Sequence, residues 1–223
     1  MNFLKRINKL DFVLRGLDIF LSLFFLLILS PLLLLIAFLI KITDLKSCIF
    51  VDNHWRVGKE GKLFLMYKFR TMIPNAHELL QKDAKFADLK KMYEKNGAKL
   101  KIADDRRITP LGGILRRLDL DELPQLFNVI KGDMSLVGPR AYFKDEIDLY
   151  SKKYPNFKKK IKFVLKLKPG ITGLWQISGR NLLTIKERIN YDYEYFQKKS
   201  IIFYTLILLK TPFIVLTRYG VCE

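Results

Sequence analysis

One uncharged segment, residues 19–40, constrains the fold of this chain more than any other feature. Its sequence, IFLSLFFLLILSPLLLLIAFLI, runs for 22 residues without a charged side chain. As a straight helix it would be about 33 Å long, close to the hydrocarbon thickness of a bilayer. It is too long for a cleaved signal peptide, and no small-residue cleavage site follows it. We therefore expect this segment to insert into a membrane.

The flanking charges and a central proline bear on how the segment inserts. Basic residues lie on both sides of it: Lys5, Arg6, Lys9, Arg15, Lys41 and Lys46. The positive-inside rule therefore favours both ends on the cytoplasmic side. At Ser30-Pro31 the proline removes one helical hydrogen bond, and the serine hydroxyl can bond to the freed backbone group. These features favour a re-entrant helix–break–helix hairpin over residues 1–46; a kinked spanning helix is the alternative.

The charge of the whole chain restricts its partners. The 223 residues carry a formal net charge of +18, although half of them are hydrophobic. This combination favours an anionic partner in apolar surroundings, such as a membrane surface, phosphorylated substrates or nucleic acid. Two cysteines, Cys48 and Cys222, lie far apart without metal-ligand spacing, as is typical of a reducing compartment.

Residues 47–223 are predicted to form one cytoplasmic domain that is α+β and mostly helical, with a small β-sheet. Apolar runs around a turn at residues 58–61 predict a hairpin, and helical periodicity covers residues 76–95 and 142–154. Residues 152–168 hold eight lysines among apolar side chains. We expect this segment to contact anionic lipids, with a solvated charged face as the alternative. Residues 200–219 predict an interfacial helix pair, broken at Pro212.

One acidic cluster lies in this basic chain, in the stretch RRLDLDELPQ at residues 116–125. Asp121 precedes Pro124 at the start of a predicted helix, so it could cap that helix, with Glu122 in the first turn. A carboxylate at a helix N-terminus beside arginines also has a lowered pKa, and it could be a nucleophile or a Mg²⁺ ligand. The two roles are compatible, and these residues alone do not separate them.

Cations in neighbouring motifs favour the chemical role. Arg140 in GPR and Arg180 in SGR each follow a turn from which a guanidinium can bind phosphate. Lys68 and Arg70 in YKFRTM would share one face of a strand. Any one of them could be an ordinary surface charge, but together around one acidic cluster they predict a pyrophosphate site with Mg²⁺. The only two histidines lie apart, so neither a histidine triad nor a zinc site is favoured.

Three motifs in this order, KFRTM, LDELPQLFNVIKGDMSLVGPR and PGITGLWQISGRN, resemble those of the bacterial sugar transferases. These are monotopic phosphoglycosyl transferases, here in a short form, and the resemblance covers about residues 10–217. It implies transfer of a sugar 1-phosphate from a UDP-sugar to undecaprenyl phosphate or another polyprenyl phosphate, with release of UMP. It also implies a location at the bacterial inner membrane, with the catalytic domain facing the cytoplasm, at the first membrane step of surface glycan assembly.

The resemblance also implies roles for particular residues. Asp121 would attack the donor's β-phosphate, form a covalent phosphosugar intermediate and bind Mg²⁺, while Glu122 would act as a base. Ser30-Pro31 matches the family's helix break. The matches to positions that line the phosphate pocket are Lys68, Arg117, Arg140 and Arg180.

The chain departs from the family pattern at several positions. Asp119 stands where serine is common, and Arg106 and Ala141 stand where proline is common. Asp119 could add metal affinity, or it could raise the pKa of Asp121 by like-charge repulsion.

Two other functions stay open on the residues alone. The sequence DLD at residues 119–121 is also a weak DxD motif, typical of a Mg²⁺-dependent glycosyltransferase that would release UDP. A non-catalytic basic module could instead bind anionic membrane lipids. We expect no nucleic-acid partner, because the acidic cluster would oppose a phosphate backbone. The sequence identifies neither the sugar nor the oligomeric state, and it allows a homodimer.

Overall fold

The structure, a computed structural model, describes residues 2–45, 48–51, 54–95 and 100–220. Its helices are α1 Asn2–Thr43, α2 Ala76–Lys82, α3 Ala87–Lys95, α4 Pro110–Arg117, α5 Gln125–Lys131, α6 Lys144–Lys153, α7 Pro155–Val164, α8 Leu174–Ser178, α9 Ile185–Lys198 and α10 Ile201–Leu216. Its strands are β1 Trp55–Val57, β2 Leu63–Leu65, β3 Ser135–Val137 and β4 Gly170–Thr172. The mostly helical α+β class is confirmed. The predicted boundary between residues 46 and 47 lies outside the described residues, as does Cys222.

Helix α1 contains the whole predicted membrane segment and is long and apolar enough to cross a bilayer. Pro31 lies inside it, and the helix continues past the proline instead of ending there. Proline removes the hydrogen bond to the carbonyl four residues earlier, which is that of Leu27. Ser30 Oγ donates to this carbonyl oxygen at 2.8 Å. The predicted contact of the serine is therefore confirmed, whereas the re-entrant path stays a prediction.

Both halves of α1 pack against the rest of the protein. Leu14, in the first half, is buried in the main apolar core. Ile36 and Ile40, in the second half, form a separate buried cluster with Phe69 and Leu115. Much of the remaining apolar surface of α1 is exposed. The helix thus offers apolar side chains to a membrane while both of its halves stay attached to the domain.

The predicted small sheet is two separate two-stranded sheets. Strands β1 and β2 pair antiparallel around a short 3-10 turn, Lys59–Gly61, so the predicted hairpin is confirmed. Strands β3 and β4 pair in parallel and are brought together by a crossover. Phe64 of β2 and Leu136 and Val137 of β3 are buried in the same apolar core, so both sheets pack on it.

The loop of GPR and the loop of PGITG are joined through their glycines. Gly138 N donates to Thr172 O at 2.9 Å, and Gly170 N donates to Pro139 O at 2.9 Å. A Cβ atom on Gly170 would lie 2.0 Å from Gly138 N, so only glycine fits this approach. The close packing holds the segment that carries Arg140 against the segment that leads to α8.

The periodic segment at residues 76–95 is two helices, α2 and α3, separated by a short 3-10 turn. Asp83 ends the first of them, and its side chain accepts a hydrogen bond from Lys85 N at 2.9 Å. This local bond competes with continued helix and explains the division. The helix expected at residues 142–154 is confirmed as α6.

The two segments expected at a membrane surface use their apolar side chains differently. In α7, Ile161 and Val164 are buried within the domain, and most of its lysines are exposed. In α10, apolar side chains such as Ile202 and Phe213 are exposed. The predicted helix pair at residues 200–219 is wrong, since α10 is one helix with Pro212 inside it. Membrane contact by either segment stays a prediction.

Candidate active site

The acidic cluster lies on a short 3-10 turn, Leu120–Glu122, between α4 and α5. Leu120 packs against the buried cluster formed by the second half of α1. Phe69 N donates to the carbonyl oxygen of Asp121 at 2.9 Å, which ties the turn to the KFRTM segment. The side chain of Asp121 is nearly inaccessible, since the residue is 2% exposed. The turn that carries the acids is therefore linked to the second half of α1 through this apolar cluster.

The prediction that Asp121 caps a helix is wrong. Helix α5 begins after Pro124, which makes no side-chain cap bond, and Asp121 lies within the preceding turn. Its carboxylate instead contacts Lys68. The Lys68 Nζ atom lies 2.9 Å from Asp121 Oδ2 and 2.9 Å from Glu122 Oε1. One ammonium group thus joins both predicted catalytic carboxylates.

Burial and charge separate the pKa values of the two acids. Loss of hydration raises the pKa of Asp121, against the opposing charge of Lys68, so the expected lowering is wrong. Loss of hydration also acts on Glu122, but the charge and hydrogen bond of Lys68 outweigh it, and the pKa of Glu122 is lowered. The carboxylates in turn raise the pKa of Lys68 despite its burial, so this lysine stays protonated. Lys68 therefore provides a fixed positive charge between two acids.

Arg116, and not Arg117, points toward this site. Its Nε atom donates to Thr71 Oγ1 at 2.8 Å, and the charge of Asp121 acts on its pKa, although burial lowers that pKa overall. Arg117 is exposed and, in the part of the chain that the structure describes, it forms no ion pair. Neighbouring residues on a helix project about 100° apart, so only one of the two arginines can face the acids.

Arg180 reaches the acidic turn through Asp119. Its Nη2 atom lies 2.7 Å from each carboxylate oxygen of Asp119, and both side chains are largely buried. The charge of Arg180 also lowers the pKa of Glu122. The predicted arginine therefore joins the site, and the acid that departs from the family pattern is its partner.

The predicted cations Arg140 and Arg70 have different surroundings. The guanidinium of Arg140 lies 3.7 Å from Glu146 and 5.4 Å from the ring centroid of Trp175. Arg70 forms an ion pair of 2.9 Å with Asp44, just after the end of α1. Arg70 therefore ties the membrane helix to the domain, in addition to any contact with a phosphate.

His54 and Arg56 contact each other near this site, although the sequence did not single them out as site residues. His54 Nε2 and Arg56 Nη2 are 2.9 Å apart. Burial, with the charge of Arg56 as the next cause, lowers the pKa of His54 to about 3, so the imidazole is neutral. Both Glu122 and Arg140 act electrostatically on Arg56. The one sequence signal for Arg56 was its place in a short predicted strand, which did not reveal its burial.

The geometry defines a membrane-associated enzyme that acts on phosphates. Two carboxylates on one turn share Lys68, Arg116 and Arg180 are near that turn, and the turn packs on an apolar cluster that includes residues of α1. Carboxylates can attack phosphorus or bind a divalent cation, and guanidiniums bind phosphate oxygens. Comparison with known proteins identifies the family.

A family model described as bacterial sugar transferase matches residues 10–218. Exopolysaccharide production protein ExoY of Sinorhizobium fredii is 40% identical over 205 residues, covering 92% of this chain and 86% of that protein. Undecaprenyl-phosphate galactose phosphotransferase of Salmonella typhimurium is 41% identical over 221 residues, covering 98% of this chain but 43% of that protein. A relative from Aeromonas hydrophila is 33% identical over 212 residues, covering 94% of this chain and 45% of that protein. Its name is UDP-N-acetylgalactosamine-undecaprenyl-phosphate N-acetylgalactosaminephosphotransferase.

The chain belongs to the bacterial sugar transferase family, and it is an enzyme of the phosphoglycosyl transferase class. The resemblance stated from the three motifs is confirmed. A non-catalytic lipid-binding module is accordingly excluded as the main function.

Proposed function

We propose that this chain transfers a sugar 1-phosphate from a UDP-sugar to undecaprenyl phosphate and releases UMP. The observation that carries this proposal is the contact of one lysine, Lys68, with both Asp121 and Glu122 at 2.9 Å. The names of the Salmonella and Aeromonas relatives support the acceptor and the kind of group transferred.

In the first step, an Asp121 oxygen attacks the β-phosphorus of the donor. The new O–P bond forms while the P–O bond to UMP breaks, and the electron pair leaves with UMP. Burial keeps water away from this carboxylate, and Lys68 orients it. A covalent intermediate suits a single site that must accept a soluble donor first and a lipid second.

In the second step, a phosphate oxygen of the acceptor attacks the phosphorus held by Asp121. Glu122 accepts the acceptor's proton, the O–P bond to Asp121 breaks, and the aspartate carboxylate is regenerated. The Glu122 side chain is 38% exposed, so it can reach an incoming group, whereas Asp121 is enclosed. The pKa values of the two acids are shifted in opposite directions, which is the usual sign of divided roles.

The carboxylates also fit a Mg²⁺ ion. Among the described residues no group of three metal-ligating side chains occurs, so the protein alone does not form a complete cage. Mg²⁺ is usually held by one or two carboxylates together with substrate phosphates. Asp121, with Glu122 beside it, would hold the ion, which supplies positive charge to the phosphate oxygens. We expect EDTA to stop UMP release and added Mg²⁺ to restore it.

The attachment of α1 supports a reaction at the cytoplasmic surface of the inner membrane. Both halves of α1 pack on one domain, and a helix that crosses the bilayer would carry its two halves to opposite sides. This favours the re-entrant path. Leu120, immediately before Asp121, packs on the cluster that Ile36 and Ile40 of this helix form with Phe69 and Leu115, so the acids would lie close to the lipid phosphates.

The alternative of a DxD glycosyltransferase is not supported by the geometry. Asp119 pairs with Arg180, whereas Asp121 shares Lys68 with Glu122, so Asp121 is grouped with Glu122 and not with Asp119. Such an enzyme would release UDP instead of UMP.

The experiment is to incubate the purified protein with a panel of UDP-sugars, first without acceptor and then with undecaprenyl phosphate. We expect UMP release and a phosphosugar mass increment on the protein in the first incubation, and labelled lipid in the second. Release of UDP would instead identify the DxD reaction. A protein that acquires no increment and yields no lipid product with any donor would contradict the proposal.

A further inference from the structure

Arg56 is a buried guanidinium in the middle of strand β1, and it is 7% exposed. Its Cζ atom lies 3.1 Å from the ring centroid of Phe143, so the guanidinium stacks on that ring. Its Nη2 atom is 2.9 Å from His54 Nε2, which accepts the hydrogen bond as a neutral imidazole. The Nε and Nη1 atoms have no hydrogen-bond partner among the described residues. Two strong donors of one side chain are thus buried without an acceptor.

The charge of Arg56 is also unmatched in the part of the chain that the structure describes. Three other cations have carboxylate partners: Lys68 has two, Arg180 has Asp119, and Arg140 has Glu146 at 3.7 Å. Arg56 forms no ion pair there, and its direct polar contact is neutral. Taking an unpaired charge out of water carries an effective penalty of several kcal/mol, so such a group normally has an anion as its partner.

The position of Arg56 indicates where that anion would bind. Burial, followed by the charge of Arg140, lowers the pKa of Arg56 to about 9, and Glu146 and Glu122 oppose the shift. Arg56 also stacks on Phe143, and the next residue, Val57, donates its N–H to Tyr142 O at 2.9 Å, so Arg56 lies against the segment that follows Arg140. A phosphate there would face two guanidiniums and satisfy the buried donors.

We propose that Arg56, together with Arg140, binds the phosphate that remains with the nucleoside when the donor is cleaved. This inference rests on the proposed function and assigns a residue to its leaving group. A nucleoside diphosphate sugar has two phosphorus atoms, and Asp121 attacks the β-phosphorus. The bridging oxygen takes the electron pair as the P–O bond breaks, so negative charge increases on the departing UMP. The two guanidiniums stabilise that charge through hydrogen bonds from fixed positions.

The test measures UMP binding and donor kinetics with the full-length protein in lipid nanodiscs. The variants are Arg56→Gln, which removes the charge, and Arg56→Lys, which keeps a point charge without the planar fork. Arg106→Gln is the matched control, because Arg106 is exposed and pairs with Asp88 away from the acidic turn. UMP is titrated by calorimetry, and the thermal midpoint of each variant without ligand reports on folding.

We expect Arg56→Gln to raise the Kd for UMP by about tenfold or more, since hydrogen bonds to a charged group are lost. Arg56→Lys should produce a smaller increase, and Arg106→Gln should produce none. In turnover, Arg56→Gln should raise the KM for the UDP-sugar and leave the KM for undecaprenyl phosphate unchanged. A collapsed site would instead raise both KM values.

A lowered thermal midpoint with unchanged UMP affinity would mean that Arg56 only packs against Phe143, and the assignment would be wrong. If Arg56→Gln does not fold, Arg56→Lys decides, since wild-type UMP affinity in that variant would overturn the assignment as well. A wild-type protein that binds no UMP and releases none would reject the proposed function, and this inference with it. Normal wild-type binding with no change in either variant rejects this inference alone.

Discussion

On one side of the active site Lys68 contacts two carboxylates, whereas on the other side Arg56 contacts a neutral histidine. On the first side, the charge of Lys68 is offset by acids of the protein itself. We call this side balanced; Leu120 links it to the cluster that includes the second half of α1. The second side has an excess of positive charge between β1 and the loop of GPR. A balanced arrangement can hold its geometry before any substrate binds. An unbalanced one is completed only when an anion arrives.

The difference matches the order of events in the proposed two-step transfer. The nucleophile must have its position before the donor binds, so its partner has to come from the protein. The charge on the leaving group appears only during the reaction, so the cations that stabilise it can wait unmatched. Substitutions on the two sides should therefore fail in different ways.

The largest effect is expected on the balanced side. Asp121→Asn removes the attacking oxygen, and we expect turnover to fall by at least about 10³-fold with no covalent mass increment. Glu122→Gln should slow turnover by roughly 10²–10⁴-fold, because it removes only the base of the second step. That variant should still acquire the phosphosugar and retain it. Intact-protein mass spectrometry distinguishes the two, and an increment on the Asp121→Asn protein would show that another residue is the nucleophile.

The two adjacent arginines of α4 test how far the balanced side extends. We expect Arg116→Gln to reduce kcat/KM by roughly 10²-fold, because this side chain is near Asp121 and fixed by Thr71. Arg117→Gln changes the net charge equally but alters an exposed side chain, so it serves as the matched control. Its activity should stay within about twofold of wild type. Equal losses in both variants would mean that only the total charge matters.

The Asp119–Arg180 pair belongs to the balanced side, since it fixes the arginine of SGR beside the acidic turn. A double-mutant cycle with Asp119→Asn and Arg180→Gln should give a coupling energy of about 1–3 kcal/mol in kcat/KM. Asp119→Ser, the residue common in the family, should retain more activity than Asp119→Asn if Arg180 then binds phosphate directly. Strict additivity of the two single variants would contradict a functional pair.

The smallest effect on activity is expected at Asp192, which supports the unbalanced side. Its Oδ2 atom accepts hydrogen bonds from Arg140 N at 3.1 Å and from Tyr142 Oη at 2.7 Å. Burial raises the pKa of Asp192 to about 7, although those bonds and the charges of Arg140 and Arg188 oppose the shift. The native state therefore keeps a proton that the unfolded chain loses near pH 4. The stability associated with that proton is complete below pH 4 and declines as the pH rises to about 7.

Asp192→Asn removes this proton while keeping one acceptor oxygen. We expect the variant to be as stable as wild type near pH 4 and more stable at pH 8, by roughly 2–4 kcal/mol. Thermal midpoints of both proteins, measured across this range in nanodiscs, give the comparison. A difference that does not change with pH would mean that Asp192 is ionised in the native protein.

Several parts of the site could be predicted because their signals are local. Asp121, Glu122 and Lys68 belong to continuous motifs, and the apolar segment is evident from its length and lack of charge. The structure brings the three charged residues into contact as the motifs suggest. Asp121 was nevertheless misplaced as a helix cap, because the turn that carries it ends before α5 begins.

Other parts depended on packing between distant segments. Arg116 reaches the site because its face of α4 meets the segment that contains Thr71. The order of residues in the sequence does not reveal how α4 is rotated about its axis. Asp119 departs from the family pattern, and the structure explains this departure because Asp119 pairs with Arg180, 61 positions away. Arg56 is one arginine among many in the sequence, and only its burial distinguishes it.

The amino-acid sequence alone determined that this protein has an apolar membrane segment, a basic mostly helical domain and an acidic pair among motifs that contain arginine and lysine. These properties depend on composition and on neighbouring residues. Only the tertiary structure decided which cations are paired with acids, and it placed Arg56 in a buried position without a carboxylate partner among the described residues. The reason is physical: the energy of a charge depends on its distance to other charges and on its exposure to water, and folding sets both.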